Sequence, residues 1–238
     1  MSGVHVKSEP LIIFGDRVSE TWGLIIGGER PTAAVGELFG DQTDPRPINL
    51  DISDEDVWTA TGQGLDLRVE RAEATTSTEA EEYGLQPCQV TGTVAVAGSE
   101  RHLDVGGVRA PELSQDGLDS LRMFGSWFPT GQQCTLIAAR PRGAKGHDRD
   151  RIEVVARGEE HALVFDPRLS TTYDSAGVPA RVGLELWLGD DPEGDQLPRR
   201  LAGLMTGSHV ADRRLTAYAV ECTSRGERGA GIYLLARG

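Results

Sequence analysis

The sequence predicts an all-β protein made of two antiparallel units, each a barrel or a sandwich, packed together. Two observations carry this prediction. Apolar and polar residues alternate with a period of two along several short segments, which is the pattern of a strand with one buried face. Clusters of glycine, proline, aspartate and asparagine separate these segments at short intervals, as turns between antiparallel strands do.

The first unit is predicted over residues 1–109, with strand patterns from about Leu11 to Arg109. In "GLDLRVERAEA" the residues Leu65, Leu67 and Val69 alternate with charged side chains. In "CQVTGTVAVAG" three valines share one face, and "SERHLDVGGV" continues the strand pattern. Between them, "TSTEAEEYGL" is predicted to form a short helical turn.

The second unit is predicted over residues 120–238. "ARVGLELWLG", "LTAYAVEC" and "GAGIYLLAR" all alternate, and "FDPRLSTTYDSAGVP" is typical of a loop. Residues 110–119 are predicted to form a connecting loop. At its end and continuing into the second unit, "DGLDSLRMF" favours one or two helical turns with Asp116 as the N-cap. A single large barrel is the alternative architecture.

Composition restricts the classes of partner. The net charge of −13 disfavours binding to nucleic acid, which needs clustered Lys and Arg, and to an anionic membrane surface. No run approaches the ~20 apolar residues of a membrane span, and the N-terminus shows no secretory signal. Cys88, Cys134 and Cys222 are widely spaced, which favours reduced, buried thiols in a cytoplasmic protein.

The motifs of common cofactors are not found in the sequence. The five histidines lack the HxH or HxxxH spacing of a metal site, so no metal is predicted. Gly27 and Gly28 have no P-loop lysine beside them, and neither Ser126 nor Ser208 lies in a GxSxG motif. We therefore predict a protein that works without a cofactor.

Four segments together resemble a known family. They are "VTGTVAVAGSERHLDVGGVRA", "SLRMFGSWFPTGQQCTLIAARP", "RVGLELWL" and "GAGIYLLAR". In this order, over Pro87–Gly238, they resemble the lipocalin-like proteins related to carotenoid 1,2-hydratase (hydroxyneurosporene synthase) and the AttH group. The resemblance implies two lipocalin-like barrels side by side and apolar polyene or terpenoid substrates that are hydrated or cyclised. Similar paired barrels also serve as pericyclases.

The chain departs from this family at the junction of the two units. Members usually carry an Asp-His-Ser-Trp-Gly-like motif after their equivalent of "GVR", whereas Ala110–Ser114 here reads "APELS". The family's His and Trp therefore have no counterpart in this chain, which weakens the case for hydratase chemistry. A ligand pocket remains compatible with the sequence.

Aromatic residues and two carboxylates are the candidate site residues. Phe124, Trp127, Trp187 and Tyr218 are predicted to bind ligand, because aromatic rings line apolar pockets and stabilise cations. Alternation places Phe124 and Phe128 on one face and Trp127 on the other. Glu185, on the same face as Trp187, and Glu112 are the predicted catalytic residues, since a carboxyl in an apolar cavity can act as an acid. Core packing for the rings and a solvated surface for the carboxylates are the alternatives.

Three functions are compatible with these patterns. The first is a cofactor-free enzyme that holds an apolar isoprenoid- or polyketide-like molecule in a barrel cavity and promotes its cyclisation or hydration. The second is a non-catalytic carrier of a hydrophobic small molecule. The third is a structural or interaction protein without a pocket. A cavity with a buried carboxyl favours the enzyme, a cavity without polar groups favours the carrier, and a filled core favours the third.

Overall fold

The chain folds into β-strands throughout the part that the structure describes. The computed structural model describes residues 9–40, 43–78, 83–145, 150–158, 162–189, 198–210 and 215–237. Its strands are β1 (Glu9–Asp16), β2 (Thr21–Ile26), β3 (Thr32–Glu37), β4 (Arg46–Asp51), β5 (Val57–Gly62), β6 (Leu65–Arg71), β7 (Thr76–Ser77), β8 (Gln86–Val96), β9 (Ser99–Leu113), β10 (Leu118–Trp127), β11 (Gln133–Pro141), β12 (Arg151–Arg157), β13 (Ala162–Leu163), β14 (Arg168–Tyr173), β15 (Pro179–Leu186), β16 (Arg199–Val210), β17 (Leu215–Ser224) and β18 (Glu227–Arg237). The all-β prediction is confirmed. None of the described segments forms a helix with the length and apolar character that a membrane span requires.

The N-terminal half forms a closed antiparallel barrel with a filled interior. Its strands follow the order β1-β2-β3-β4-β5-β6-β8-β9, and β9 closes the barrel against β1. Phe14, Trp58 and Leu67 belong to the apolar cluster that fills the barrel. Packing is so close that a Cβ added at Gly23 would lie 2.0 Å from Cζ of Phe14. A small barrel whose side chains meet at its axis is a core and not a ligand cavity.

The C-terminal half forms a curled sheet of ten strands. Its order is β13-β7-β12-β11-β10-β18-β17-β16-β15-β14. The two ends of the sheet approach each other where the chain after β13 meets the chain after β15. There the backbone N–H of Phe165 donates to the carbonyl of Trp187 at 3.2 Å, and the backbone N–H of Gly189 donates to the carbonyl of Leu163 at 3.1 Å. The curled sheet therefore surrounds an interior of its own, and the prediction of two barrel units is confirmed.

The two units share a large apolar interface. Strand β1 is buried along both faces: Ile12 and Phe14 point into the N-terminal barrel, whereas Leu11 and Ile13 join a second cluster between the units. The C-terminal sheet contributes residues such as Met123 on β10 to this cluster. Because both faces of β1 are buried, its sequence "LIIF" is apolar at every position and does not alternate.

The connection between the units is shorter than the predicted loop over residues 110–119. β9 continues to Leu113 and β10 begins at Leu118, so only a turn separates them. Pro111 is tolerated within β9 because the β1–β9 register shifts there and the pairing with β8 has already ended at Arg109. The predicted helix in "DGLDSLRMF" is wrong: Asp116 lies in the turn and the rest is strand.

Two further segments differ from their predicted state. The predicted loop "FDPRLSTTYDSAGVP" contains β14, which pairs with β15. The predicted helical turn "TSTEAEEYGL" lies partly outside the described residues, since 79–82 are not described, but its first residues form β7. β7 pairs with β12 and with β13, so the N-terminal half contributes a strand to the C-terminal sheet.

Candidate functional site

A cavity of about 1070 Å³ lies inside the curled C-terminal sheet, towards the end where β14 faces β10 and β18. Strand β14 closes its side: Thr171 Oγ1 lies 2.9 Å from the hydroxyl of Tyr233, and Arg122 Nη1 donates to the carbonyl of Leu169 at 3.5 Å. The described lining residues are Thr78, Ser120, Arg122, Arg140, Asp150, Ile152, Val164, Phe165, Asp166, Pro167, Arg168, Leu169, Ser170, Thr171, Tyr173, Leu235 and Arg237.

Strand register arranges the polar lining in rows. Antiparallel partners point to the same side of a sheet and stand about 5 Å apart. Ser120 on β10 is the partner of both Arg237 on β18 and Arg140 on β11. One step deeper, Arg122 is the partner of Leu235. Two arginines therefore flank a serine in the outermost row, and the next row is already partly apolar. We call the polar residues of these two rows, Arg140, Ser120, Arg237 and Arg122, the rim.

Below the rim, apolar residues such as Val164 and Leu235 form the floor of the cavity and rest on a buried core cluster. Phe124 is fully buried and is the cross-strand partner of Tyr233, and the Tyr233 ring lies 6.1 Å from that of Tyr218. Burial raises the pKa of Tyr233 to about 12 and also raises that of Tyr218. Both phenols are therefore neutral at physiological pH, and the floor carries no charge.

Among the described residues of the cavity lining, positive charge exceeds negative charge. Asp150, with a side chain only 7% exposed, forms ion pairs with Arg122 at 2.7 Å and with Arg140 at 2.8 Å. Arg168 pairs with Asp166 at 2.6 Å. With Arg237, the described lining holds four arginines and two aspartates, a surplus of two positive charges. One carboxylate thus serves two guanidinium groups.

A second, more open cavity of about 530 Å³ lies on the outer face of the same sheet. Glu185 accepts a hydrogen bond from Arg200 Nε at 2.9 Å there, and the Arg200 side chain is 71% exposed. Exposed ion pairs of this kind contribute little to stability. The lining consists of Arg168, Leu169, Ser170, Gly183, Leu184, Glu185, Arg200, Leu201, Ala202, Thr223, Ser224, Arg225 and Gly226. This groove is open to solvent and combines charged side chains with apolar ones such as Leu184 and Leu201.

Trp127, which is predicted from the sequence to bind ligand, lies between the two units. Trp127 belongs to the interface cluster, and its ring lies over Gly15 and Gly106 of the N-terminal barrel. A Cβ at Gly15 would approach the ring to 3.0 Å. Phe124 and Phe128 belong to the other cluster, as strand alternation predicts. Trp127 therefore joins the units.

The predicted catalytic carboxylates do not meet. Glu112 is exposed on β9, and Glu185 lies in the outer groove, so neither lies among the described residues that line the larger cavity. Trp187 is half-buried just beyond β15 and is likewise outside the described lining of both cavities. Of the predicted ligand-binding residues, Phe124 and Tyr218 lie in the core cluster beneath the larger cavity.

The rim arginines are the site residues that sequence reasoning missed. Arg122, Arg140 and Arg237 are far apart in the chain and belong to three strands. A signal is present for Arg122: it occupies the same face as Phe124 in "LRMF", so a charge interrupts an otherwise apolar face. No such signal marks Arg140 and Arg237, because their position near Arg122 depends on the order of the strands in the sheet.

The fully buried side chain of Arg109 is committed to contacts within the protein. Arg109 is fully buried in the N-terminal barrel, where it stacks on Trp58 at 4.5 Å. Its guanidinium donates to Gln86 and to the carbonyls of Glu55 and Asp56. Burial lowers the pKa of this arginine. These contacts fasten the loop that follows β4 to the barrel.

The cysteines do not provide nucleophiles near the cavity. Cys88, Cys134 and Cys222 are free and buried. Burial raises the pKa of Cys88 to about 12 and raises that of Cys222 as well, so these two remain thiols. Among the described residues, no three His, Cys, Asp or Glu side chains are grouped as metal ligands.

Comparison with known proteins relates the chain to others at the level of the fold. The structure is similar to a solved structure of CghA, with a TM-score of 0.62 and 10% sequence identity over 97% of this chain and 88% of that chain. No family model matches the sequence. No curated protein matches it either. At 10% identity the similarity shows a shared β-barrel fold and assigns no family, substrate or reaction.

Proposed function

We propose that the protein binds a small organic molecule in the cavity of the C-terminal sheet. The observation that carries this proposal is the cavity itself, about 1070 Å³ with an apolar floor and a polar rim. Small-molecule sites typically enclose roughly 300–1,000 Å³ and combine apolar walls with a few polar groups. The N-terminal barrel is filled, and the outer groove is exposed, so neither offers comparable enclosure.

Intramolecular cyclisation is the reaction that we favour. A cavity of fitting shape can accelerate such a reaction by holding a reactive conformer, without a cofactor. Hydration of an alkene would instead need a proton donor in the cavity. Asp150 and Asp166, the two described carboxylates of the lining, are both occupied by ion pairs with arginines. This arrangement favours confinement over acid catalysis.

A non-catalytic carrier is the second candidate, and one observation favours it. The same ion pairs leave no uncommitted carboxylate among the described lining residues, and a carrier needs none. Binding is common to both candidates, so the location of the site can be tested before the chemistry.

Ile152→Trp tests the location. Ile152 lines the cavity, and an indole there would occupy part of its volume. We expect the variant to bind the neutral apolar dye Nile red at least tenfold more weakly than the parent. Leu204→Trp is the matched control, because Leu204 is 49% exposed and lies outside the described cavity lining. Equal binding by the parent and Ile152→Trp would refute the proposed site.

Product analysis separates the enzyme from the carrier. The parent and Ile152→Trp are incubated with a set of linear polyenes and analysed by mass spectrometry. A product of unchanged mass and altered retention, formed by the parent and not by the variant, supports cyclisation. Recovery of unreacted polyene from a tight complex supports the carrier.

A further inference from the structure

We infer that the rim of the cavity binds the oxyanion of an acidic ligand, at a site formed by Arg237, Ser120 and Arg140. This inference rests on the proposed function, since it concerns the same cavity. The ligand is an amphipathic organic acid: its anionic group lies at the rim, and its apolar body extends over apolar lining residues such as Val164 and Leu235.

Charge balance at the rim is the first argument. The carboxylate of Asp150 is shared by Arg122 and Arg140, and Asp166 pairs with Arg168. The side chain of Arg237 has no hydrogen-bond or ion-pair partner among the described residues, although it lines the cavity. A bound anion would neutralise part of this surplus charge.

Geometry is the second argument. Ser120 is the direct cross-strand partner of Arg140 on one side and of Arg237 on the other. Neighbouring strands lie about 4.8 Å apart, so an oxyanion above Ser120 is within reach of both guanidinium groups. Guanidinium forks match planar oxyanions, and a serine hydroxyl adds a further donor.

The charge of the whole chain is the third argument. The protein carries a net charge of −13, which repels anions in general. The surplus of positive charge among the described lining residues is therefore confined to the cavity and is opposite in sign to the charge of the whole chain. Low-dielectric walls concentrate its field on the cavity interior, which favours an anion of small-molecule size.

The experiment compares an acid with its neutral analogue. Dansylaminoundecanoate and its methyl ester share a fluorophore and an alkyl chain and differ only in the anionic group. We expect the parent to bind the acid about tenfold more tightly than the ester, the scale of one good charge-assisted contact. The preference should decrease with added salt, because the rim arginines are partly exposed.

Two variants assign the preference to the rim. Arg237→Gln removes a charge that holds no described partner, so the ratio of acid affinity to ester affinity should fall most of the way from tenfold to one. Ser120→Asp places a carboxylate between the two arginines and should abolish the preference completely. The matched control is Arg181→Gln: Arg181 is exposed, and its cross-strand partner, the exposed Leu204, marks the outer face of the same sheet. It should behave as the parent does.

The outcomes separate this inference from the proposed function. Equal binding of acid and ester by the parent overturns the inference and leaves the cavity as the binding site. An acid preference that survives in Arg237→Gln and Ser120→Asp also overturns it. Binding of neither probe, nor of Nile red, refutes the proposed function itself. Competition by decanoate and by decyl phosphate, with decanol as the neutral reference, then distinguishes a carboxylate from a phosphate head group.

Discussion

Asp150 is the charge that holds two rim arginines together, and Asp150→Asn tests the charge balance of the cavity. The substitution keeps the shape of the side chain and removes its charge. Its ion pairs with Arg122 and Arg140 are 2.7 and 2.8 Å long, and the arginine side chains are 21% and 31% exposed. Fully buried pairs cost ~3–5 kcal/mol to break and exposed pairs at most ~1 kcal/mol, so we expect a loss of about 2 kcal/mol in the free energy of unfolding.

The same substitution should strengthen the binding of anions. The described lining changes from four arginines and two aspartates to four arginines and one aspartate, a surplus of three positive charges. We expect affinity for dansylaminoundecanoate to rise about tenfold, and affinity for its methyl ester to stay constant.

Urea unfolding and fluorescence titration measure these opposite changes. Added salt should reduce the gain in affinity, because screening acts on the partly exposed arginines. A variant that loses both stability and acid affinity would refute the reasoning, since it would show that Asp150 orders the site and does not compete with the ligand.

Three further predictions concern buried groups. Because the thiols of Cys88 and Cys222 are buried and have a raised pKa, they should not react with an aromatic disulfide reagent at neutral pH while the protein is folded. They should react once urea unfolds the chain. Rapid labelling before unfolding would contradict their burial. Burial raises the pKa of Tyr233 from 10.0 to about 12. The contribution of its neutral hydroxyl to stability should therefore be complete below about pH 10, and the free energy of unfolding should fall by about 2 kcal/mol as the pH rises towards about 12. Tyr233→Phe should lack that alkaline loss in urea titrations. Gly23→Ala should cost ~1–3 kcal/mol in urea unfolding, since its Cβ would overlap the ring of Phe14; an unchanged midpoint would show that the barrel repacks freely.

Alternation predicted β6, which has one buried face, but failed for β10, which is buried on both faces. β6 has the strict burial alternation that "GLDLRVE" indicates. β10 is buried on both faces, with Leu121 and Met123 facing the N-terminal barrel and Phe124 facing the cavity side. Its apolar residues therefore lose the period of two, and their spacing imitates a helix. The helix that was predicted in place of β10 has this cause. β14 was missed for another reason: its residues are mostly exposed, and turn-forming residues surround it in the sequence.

The cavity could not be predicted because it depends on contacts between distant strands. β10 and β18 lie beside each other in the sheet, and this pairing is what brings Arg237 next to Ser120. Local patterns carry no information on such an order. Trp127 and Trp187 were plausible cavity residues by composition, but the direction of each side chain is fixed by which unit covers which face of the sheet.

The pairing of β10 with β18 also determines when the molecule can finish folding during synthesis. The N-terminal barrel needs only residues up to Leu113, so it can close while the ribosome is still translating the second half. The outward residues of β1, Leu11 and Ile13, are fully covered only once β18 has emerged as well as β10, because both strands contribute to the cluster that buries them. Until then the nascent chain exposes an apolar surface and an incomplete sheet, and this interval is when chaperones would be needed and when truncated translation products would aggregate.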